Sequence, residues 1–509
     1  MKRQKTLVIV CAVLFAVLVA AYFFVITPYI KANTPEKEVT TPETEAGEIV
    51  GISDRIYIFK NISKEEIKKI TVENSYGSYA FVSSGDGKFY IEGHKNVPFD
   101  EETFALLQTI TTSTLSKTKV VSGATDEKLD EYGLLTPQAN WVVETKAGEF
   151  FKVYVGDELL TGGGYYCMFE GRPGSVYVLS EDVSKTVLAS VEGYVAPVVC
   201  AGISQNDYYT VDKFTVYKNG EKQFRIRLLD KEEQLNPEAL AENIMDYPTA
   251  YYPNAQRYYE IIYQFMGLVA DSCYDISATD EEKASIGMDD PATVITFEYN
   301  DAHYELYFSS LQENGTYYTE SNMFPGVIGV CSAETLKFLD YTLIDWVDKL
   351  VFQQYVTNIS SMNITSDDVT VDFQLSHGVS EDGKNTPLYV NANGQEFTTE
   401  QVANFRQFYK TLLSVTITDY CVDDEYCKMS ESELQSYISD KSNAKLILTY
   451  KTLEGKTSEL GFYPYSTRHS CVTIDGVGEF YVSTDYVNKI INDAIRLLNG
   501  EVIDANGKY

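Results

Sequence analysis

The sequence predicts an α+β protein: an N-terminal transmembrane helix, then three related units of mainly antiparallel sheet with packed helices. Three observations predict it. Leu7 to Ile26 is an uncharged run of twenty apolar residues. Ser180, Ser332 and Thr484 stand 152 residues apart and close similar Tyr-rich strand pairs. Between them, alternating apolar and polar runs are joined by short turns, the pattern of strands that pair antiparallel.

The elements follow in order. At 1.5 Å per residue, Leu7–Ile26 makes a helix roughly 30 Å long, a bilayer core's thickness. Lys2, Arg3 and Lys5 before it place the N-terminus in the cytoplasm and the bulk of the chain outside the cell membrane, as a single-pass protein. Val19-Ala20-Ala21 offers a rival, a cleaved signal peptide, but five more apolar residues follow and favour an anchor. Residues 1–30 are thus stub and anchor, and residues 31–52 are an acidic Thr/Pro/Glu spacer unable to bury area. The units are then 53–195, 196–350 and 351–509.

Each unit repeats one plan. A first helix has Asp100 as cap before Phe104, Leu107 and Ile110 in unit 1. In unit 2 it carries Tyr258, Ile261, Ile262 and Phe265. In unit 3, Thr398 and Gln401 form a capping box before Phe405, Phe408 and Leu412. Strand pairs follow, such as Asn140–Glu144 with Phe151–Val155 and Val294–Tyr299 with Tyr304–Phe308. Ser180, Ser332 and Thr484 then cap a closing helix in each copy.

Unit 1 contains Tyr132-Gly133-Leu134, two further residues and Pro137, then Phe151-Lys152-Val153-Tyr154-Val155-Gly156 and Tyr177-Val178-Leu179. Gly287 and Pro291 keep the same spacing in unit 2. This combination resembles the bacterial domain of unknown function numbered 4340, clearly over 65–190, moderately over 196–350 and only in architecture beyond. The resemblance implies a membrane-tethered accessory of an ABC-type permease and its ATPase, and it supplies no catalytic residues. The motif also has a structural reading: Gly133 takes a positive φ to end a short helix, Leu134 fills the core and Pro137 blocks continuation.

Composition narrows the chemistry. The chain of 509 residues has 41 Lys and Arg against 74 Asp and Glu, a net charge of −33, and 44% hydrophobic residues. That suffices for real cores and argues against nucleic acid as a partner. The four histidines, 94, 303, 377 and 469, are isolated in sequence. No metal motif, nucleophile elbow or phosphate loop is present, so no catalytic, metal or cofactor residue is assigned and a non-enzymatic protein is expected. Among the cysteines, Cys273 with Cys331, and Cys421 with Cys471 or Cys427, are candidate disulfides in an oxidising compartment.

Forty tyrosines are the remaining peculiarity. Tyr is a good strand residue, which explains many of them. Runs such as Tyr208-Tyr209, Tyr251-Tyr252 and Tyr258-Tyr259 could instead line a groove for polysaccharide or peptide. Pro248 to Tyr259 is the stretch expected to be exposed, with Tyr251, Tyr252, Asn254, Arg257 and Tyr258 as its binding residues. Three functions follow: a tethered scaffold or binding protein serving an export or cell-envelope complex; a binder of wall glycan, which requires clustered exposed Tyr beside amides; or a carboxylate-based hydrolase.

Overall fold

The computed structural model describes residues 48–50, 55–85, 87–114, 116, 118–230, 233, 242–378 and 387–507. The chain divides into two compact units: residues 1–78 with 106–188, and residues 79–105 with 189–509.

In the first unit the strands are β1 (Ile67–Asn74), β4 (Thr118–Val121), β5 (Ala139–Thr145), β6 (Phe150–Glu158), β7 (Gly164–Phe169) and β8 (Val176–Ser180). They hydrogen-bond in the order β1-β5-β6-β7-β8-β4, and every pair is antiparallel. Strand β5 alternates strictly between buried and half-buried residues, so Trp141 and Val143 face the core. Two further strands, β2 (Gly77–Ser83) and β3 (Phe89–Ile91), pair with each other. Helix α1 (Glu101–Thr112) and the short helix α2 (Asp126–Glu131) complete this part of the chain.

The second unit repeats that order and extends it. Its first sheet contains β9 (Asp212–Lys218), β10 (Glu221–Leu228), β11 (Asn243–Tyr247), β12 (Ser272–Asp275), β13 (Thr293–Tyr299), β14 (Ala302–Phe308), β15 (Thr316–Ser321) and β16 (Ile328–Ser332). Their order is β11-β10-β9-β13-β14-β15-β16-β12. Strand β13 has the same burial alternation as β5. Its inward Phe297 stacks on Phe265 of helix α3 (Ala255–Phe265), which also buries Tyr258, Ile261 and Ile262. Each such side chain contributes about 1.5–3 kcal/mol by leaving water.

The last sheet comprises β17 (Ile359–Thr365), β18 (Thr370–His377), β19 (Leu388–Ala392), β20 (Leu446–Thr452), β21 (Thr457–Pro464), β22 (His469–Ile474) and β23 (Val477–Ser483), in the order β19-β18-β17-β20-β21-β22-β23. Helix α5 (Thr399–Leu413) packs against helix α7 (Thr484–Leu498), and the Thr398–Gln401 capping box is formed. Within that helix pair the fully buried Asp493 pairs with Lys489 at 3.2 Å and accepts from Thr411 Oγ1 at 2.8 Å. The apolar core runs continuously from Val199 to Ile503 through both sheets of this unit.

Two expectations are corrected. The closing helix expected after Ser180 and Ser332 shrinks to 3-10 turns, Glu181–Lys185 and Lys337–Asp340, and only the third copy has a full helix there. The transmembrane helix is also corrected: among the described residues no helix is long and apolar enough to cross a membrane. The longest, α5 and α7, have 15 residues, about 22 Å against the roughly 30 Å of a bilayer core. Leu7–Ile26, on which the anchor, the single-pass topology and the extracellular placement all rested, lies outside the described residues, as does most of the 31–52 spacer. At the end of that spacer Glu48 is not solvated. Its side chain is fully buried, 3.0 Å from Lys119 Nζ and 2.5 Å from the donating Tyr177 hydroxyl, with Arg172 beside it.

Candidate functional site: an exposed tyrosine cluster

The five residues expected to form an exposed binding face pack inward. Tyr251 is 7% exposed, with its ring 5.5 Å from Phe480 of the last sheet. The Tyr252 hydroxyl accepts from Gln354 Nε2, and Tyr252 O accepts from Asp348 N at 2.7 Å. Asn254 caps α3 by accepting from Arg257 N. Arg257 lies 4.3 Å over the Tyr341 ring and pairs with Asp345. Tyr258 is 1% exposed and donates to Val211 O. Tyr251, Tyr252 and Tyr258 therefore pack within the second and last sheets and their seam instead of facing solvent. The stretch's aromatic density is what such a seam needs, and from sequence a buried Tyr pair looks like an exposed one.

The exposed rings lie next to it. On α3, Gln256, Tyr259, Glu260 and Tyr263 share one stripe at spacings of three and four. The 3-10 turn Tyr208–Thr210 lays Tyr208 across that stripe. Its ring centroid is 4.6 Å from Tyr263 and 5.4 Å, edge-on, from Tyr259, while Tyr209 adjoins it at 6.1 Å. Tyr209 and Tyr263 are 45% and 46% exposed. The Tyr259 hydroxyl accepts from Asn243 Nδ2 at 2.7 Å and lies 3.5 Å from Glu242 Oε2. Burial, with the Glu242 charge adding, pushes the Tyr259 phenol up to about 12, so it stays neutral. Asn243 is 5% exposed, and its Oδ1 has no hydrogen-bond partner. Four rings beside an amide and carboxylates can stack on a flat apolar face and bond its polar rim.

A second polar cluster brings together a histidine that looked isolated in sequence. His469 Nδ1 and the Tyr465 hydroxyl each lie 2.6 Å from Asp424 Oδ2. The imidazole stacks on Tyr481 at 4.5 Å. Burial raises the Asp424 carboxyl, but the Tyr465 and His469 hydrogen bonds outweigh it and hold the group below the usual carboxylate range. Asp424 and His469 are 45 residues apart, so no local motif announces the pair. Among the described residues no serine or cysteine side chain hydrogen-bonds the imidazole, and no group of three or more His, Cys, Asp or Glu could hold a metal ion.

The seven described cysteines are all free, so none of the expected disulfides is formed. Cys273 pairs with Gly329 across β12 and β16, which leaves Cys331 one diagonal step away. That is about 7–8 Å between Cα atoms, beyond the usual disulfide window. Cys421 N donates to Glu479 O on one edge of β23, while Cys471 pairs with Tyr481 on the other. Two strand spacings, about 9.5 Å, separate their backbones, which is beyond the reach of a disulfide. Cys427 is half-buried and its thiol points to Met429 O.

The short motif is structural. Gly133 has φ +64, Leu134 N donates to Leu129 O, and Leu134 is buried. Tyr132 O accepts from Asp157 N at 2.9 Å, and Pro137 is half-buried before β5. Gly287 has φ +72, Met288 N donates to Lys283 O in the same way, and the half-buried Pro291 precedes β13.

Residues 90–285 match the family described as Domain of unknown function (DUF4340), so a domain of that family is present over this part of the chain. No curated protein and no solved structure matches the chain. The membrane tether of the accessory role that the resemblance implies is corrected with the span, since among the described residues no helix is long and apolar enough to cross a membrane.

Proposed function

We propose that the chain is a non-catalytic binding protein whose ligand is a polysaccharide of the cell-wall type, held on the tyrosine cluster of helix α3. One observation carries the reading: Tyr208, Tyr209, Tyr259 and Tyr263 form a contiguous, partly exposed aromatic surface with ring separations of 4.6–6.1 Å. Sugar rings present apolar C–H faces that stack on such phenols, and their hydroxyls meet the phenolic, amide and carboxylate groups at the rim. The phenols cost little entropy on binding because neighbouring rings already hold Tyr208 and Tyr259.

The test is co-sedimentation of the full chain with insoluble wall polysaccharide, together with calorimetry on soluble β-linked hexasaccharides. Tyr263→Ala and Tyr209→Ala remove exposed rings and leave the core intact. Retention by the unaltered chain, with a fivefold to tenfold loss in either variant, supports the reading. Equal retention of all three proteins overturns it. So does a crosslinking experiment that returns an ABC-type permease and its ATPase with no glycan attached, because the function then passes to the partner class that the family resemblance implies.

A further inference from the structure

We infer that the glycan held on helix α3 is one with free amino groups, a de-N-acetylated glucosamine polymer, recognised as a cation over the tyrosine faces. This rests on the polysaccharide reading of the same site and adds its charge.

The observations are local as well as global. Glu260 lies on the same helical stripe as Tyr259 and Tyr263, and Glu242 Oε2 is 3.5 Å from the Tyr259 hydroxyl. Asp207 immediately precedes Tyr208 and accepts from the Tyr299 hydroxyl at 2.6 Å, which, ahead of its other hydrogen bonds, holds its carboxyl below the usual range. Glu242 therefore borders the rings directly, with Glu260 on the same helical stripe and Asp207 next to Tyr208 in sequence. The one basic residue of α3, Arg257, is turned to Tyr341 and Asp345 and neutralises none of them. A net charge of −33 extends the same sign over the whole molecule, which repels uronic or phosphate-bearing polymers and draws in cationic ones. At the foot of the cluster, the nearly buried Asn243 gives one end of its amide to Tyr259 while its Oδ1 lacks a partner. A primary ammonium beside a phenol face gains from the ring quadrupole and from a carboxylate at once, whereas its acetylated counterpart loses both.

The experiment titrates the full chain with glucosamine hexamer, N-acetylglucosamine hexamer, a hyaluronan hexasaccharide and spermine, at low and at physiological salt. The expected result is at least tenfold tighter binding of glucosamine hexamer than of its acetylated form, weakening with salt. The paired substitution Glu242→Gln with Glu260→Gln should abolish that preference, bringing the glucosamine-hexamer affinity down to that of the acetylated form. Tyr263→Ala should weaken both glucosamine-based hexamers. Equal affinity for the two, or a preference for hyaluronan, overturns the charge inference while the polysaccharide reading stands. Spermine binding that matches the glucosamine hexamer and ignores Tyr263→Ala also overturns it. If no glycan binds at all, the polysaccharide reading itself fails.

Discussion

Glu479 on β23 supplies a stability measurement whose sign and size both follow from the structure. Burial, with the Glu431 charge adding to it, pushes its carboxyl up to about 7 from an ordinary 4.5. Tyr251 from the seam and Tyr420 are its other electrostatic neighbours, and each is itself raised by burial first and by Glu479 among the charges near it. A carboxyl that binds its proton more tightly when folded stabilises the fold fully below the unfolded value of about 4.5. That stability is lost as pH rises through about 7. The difference corresponds to about 3 kcal/mol at most. Glu479→Gln removes the titration and keeps the shape. Urea unfolding at pH 5 should show the variant within about 1 kcal/mol of the unaltered chain, and at pH 8.5 about 2–3 kcal/mol more stable. An equal difference at both pH values would refute the reasoning, because the carboxylate would then not be desolvated in the seam.

Other outcomes follow from the packing. At Gly133 an added Cβ would meet Asp157 Oδ1 at 2.5 Å and Asp157 N at 2.9 Å, whereas at Gly287 nothing lies within 4 Å. Denaturant titration should therefore show Gly133→Ala costing about 3 kcal/mol and Gly287→Ala about 1 kcal/mol, the left-handed φ alone accounting for the smaller figure. Asp493→Ala should cost about 3–5 kcal/mol by removing the buried carboxylate that pairs with Lys489 and accepts from Thr411, read by the same titration. Maleimide labelling of the native chain, mapped by mass spectrometry, should reach the half-buried Cys427 and Cys273 before Cys200, Cys331, Cys421 or Cys471. Burial pushes the Cys273 thiol up to about 12, so Cys273 should lag behind Cys427.

The repeated sheet was legible because its signal is local and recurs. Thr293–Tyr299 and Ala139–Thr145 alternate in sequence as they do in burial, and Asn300-Asp301 turns at positive φ where the strand pair requires it. The closing helices of the first two copies were misread because Ser180 and Ser332 carry the right cap chemistry. A cap permits a helix; the length of the apolar stripe behind it decides one, and only Val487, Ile490, Ile491, Ala494 and Leu497 supply that stripe. The site was half legible. Tyr208, Tyr209 and Tyr259 stood out as pairs, but adjacent residues on a helix face different ways. Tyr258 therefore goes into the core and Tyr259 to the surface, and neither composition nor pairing says which. Tyr263 could have been found by extending the stripe four residues from Tyr259. The Asp424–His469 pair could not, since only tertiary folding joins residues so far apart.

Comparison of the equivalent helices separates what the fold demands from what the tyrosine cluster adds. Helices α1, α3 and α5 all follow the first strands of their sheets and precede the strand pairs that carry the inward aromatic residues. Helix α1 exposes Glu101, Glu102, Ala105 and Thr109, and α5 exposes Ala403, Arg406 and Lys410. Only α3 turns an aromatic stripe outward, and only there does a 3-10 turn bring a further tyrosine across it. Shared architecture therefore cannot be the reason for these rings, since the same helix position is filled by small and charged residues in the other two copies. Tyr263 in particular is nearly half exposed, at a position where a lysine or glutamate would hold the helix equally well. Rings held by one another yet left partly in water, as Tyr209 and Tyr263 are, suit a surface whose partner brings an apolar face of its own.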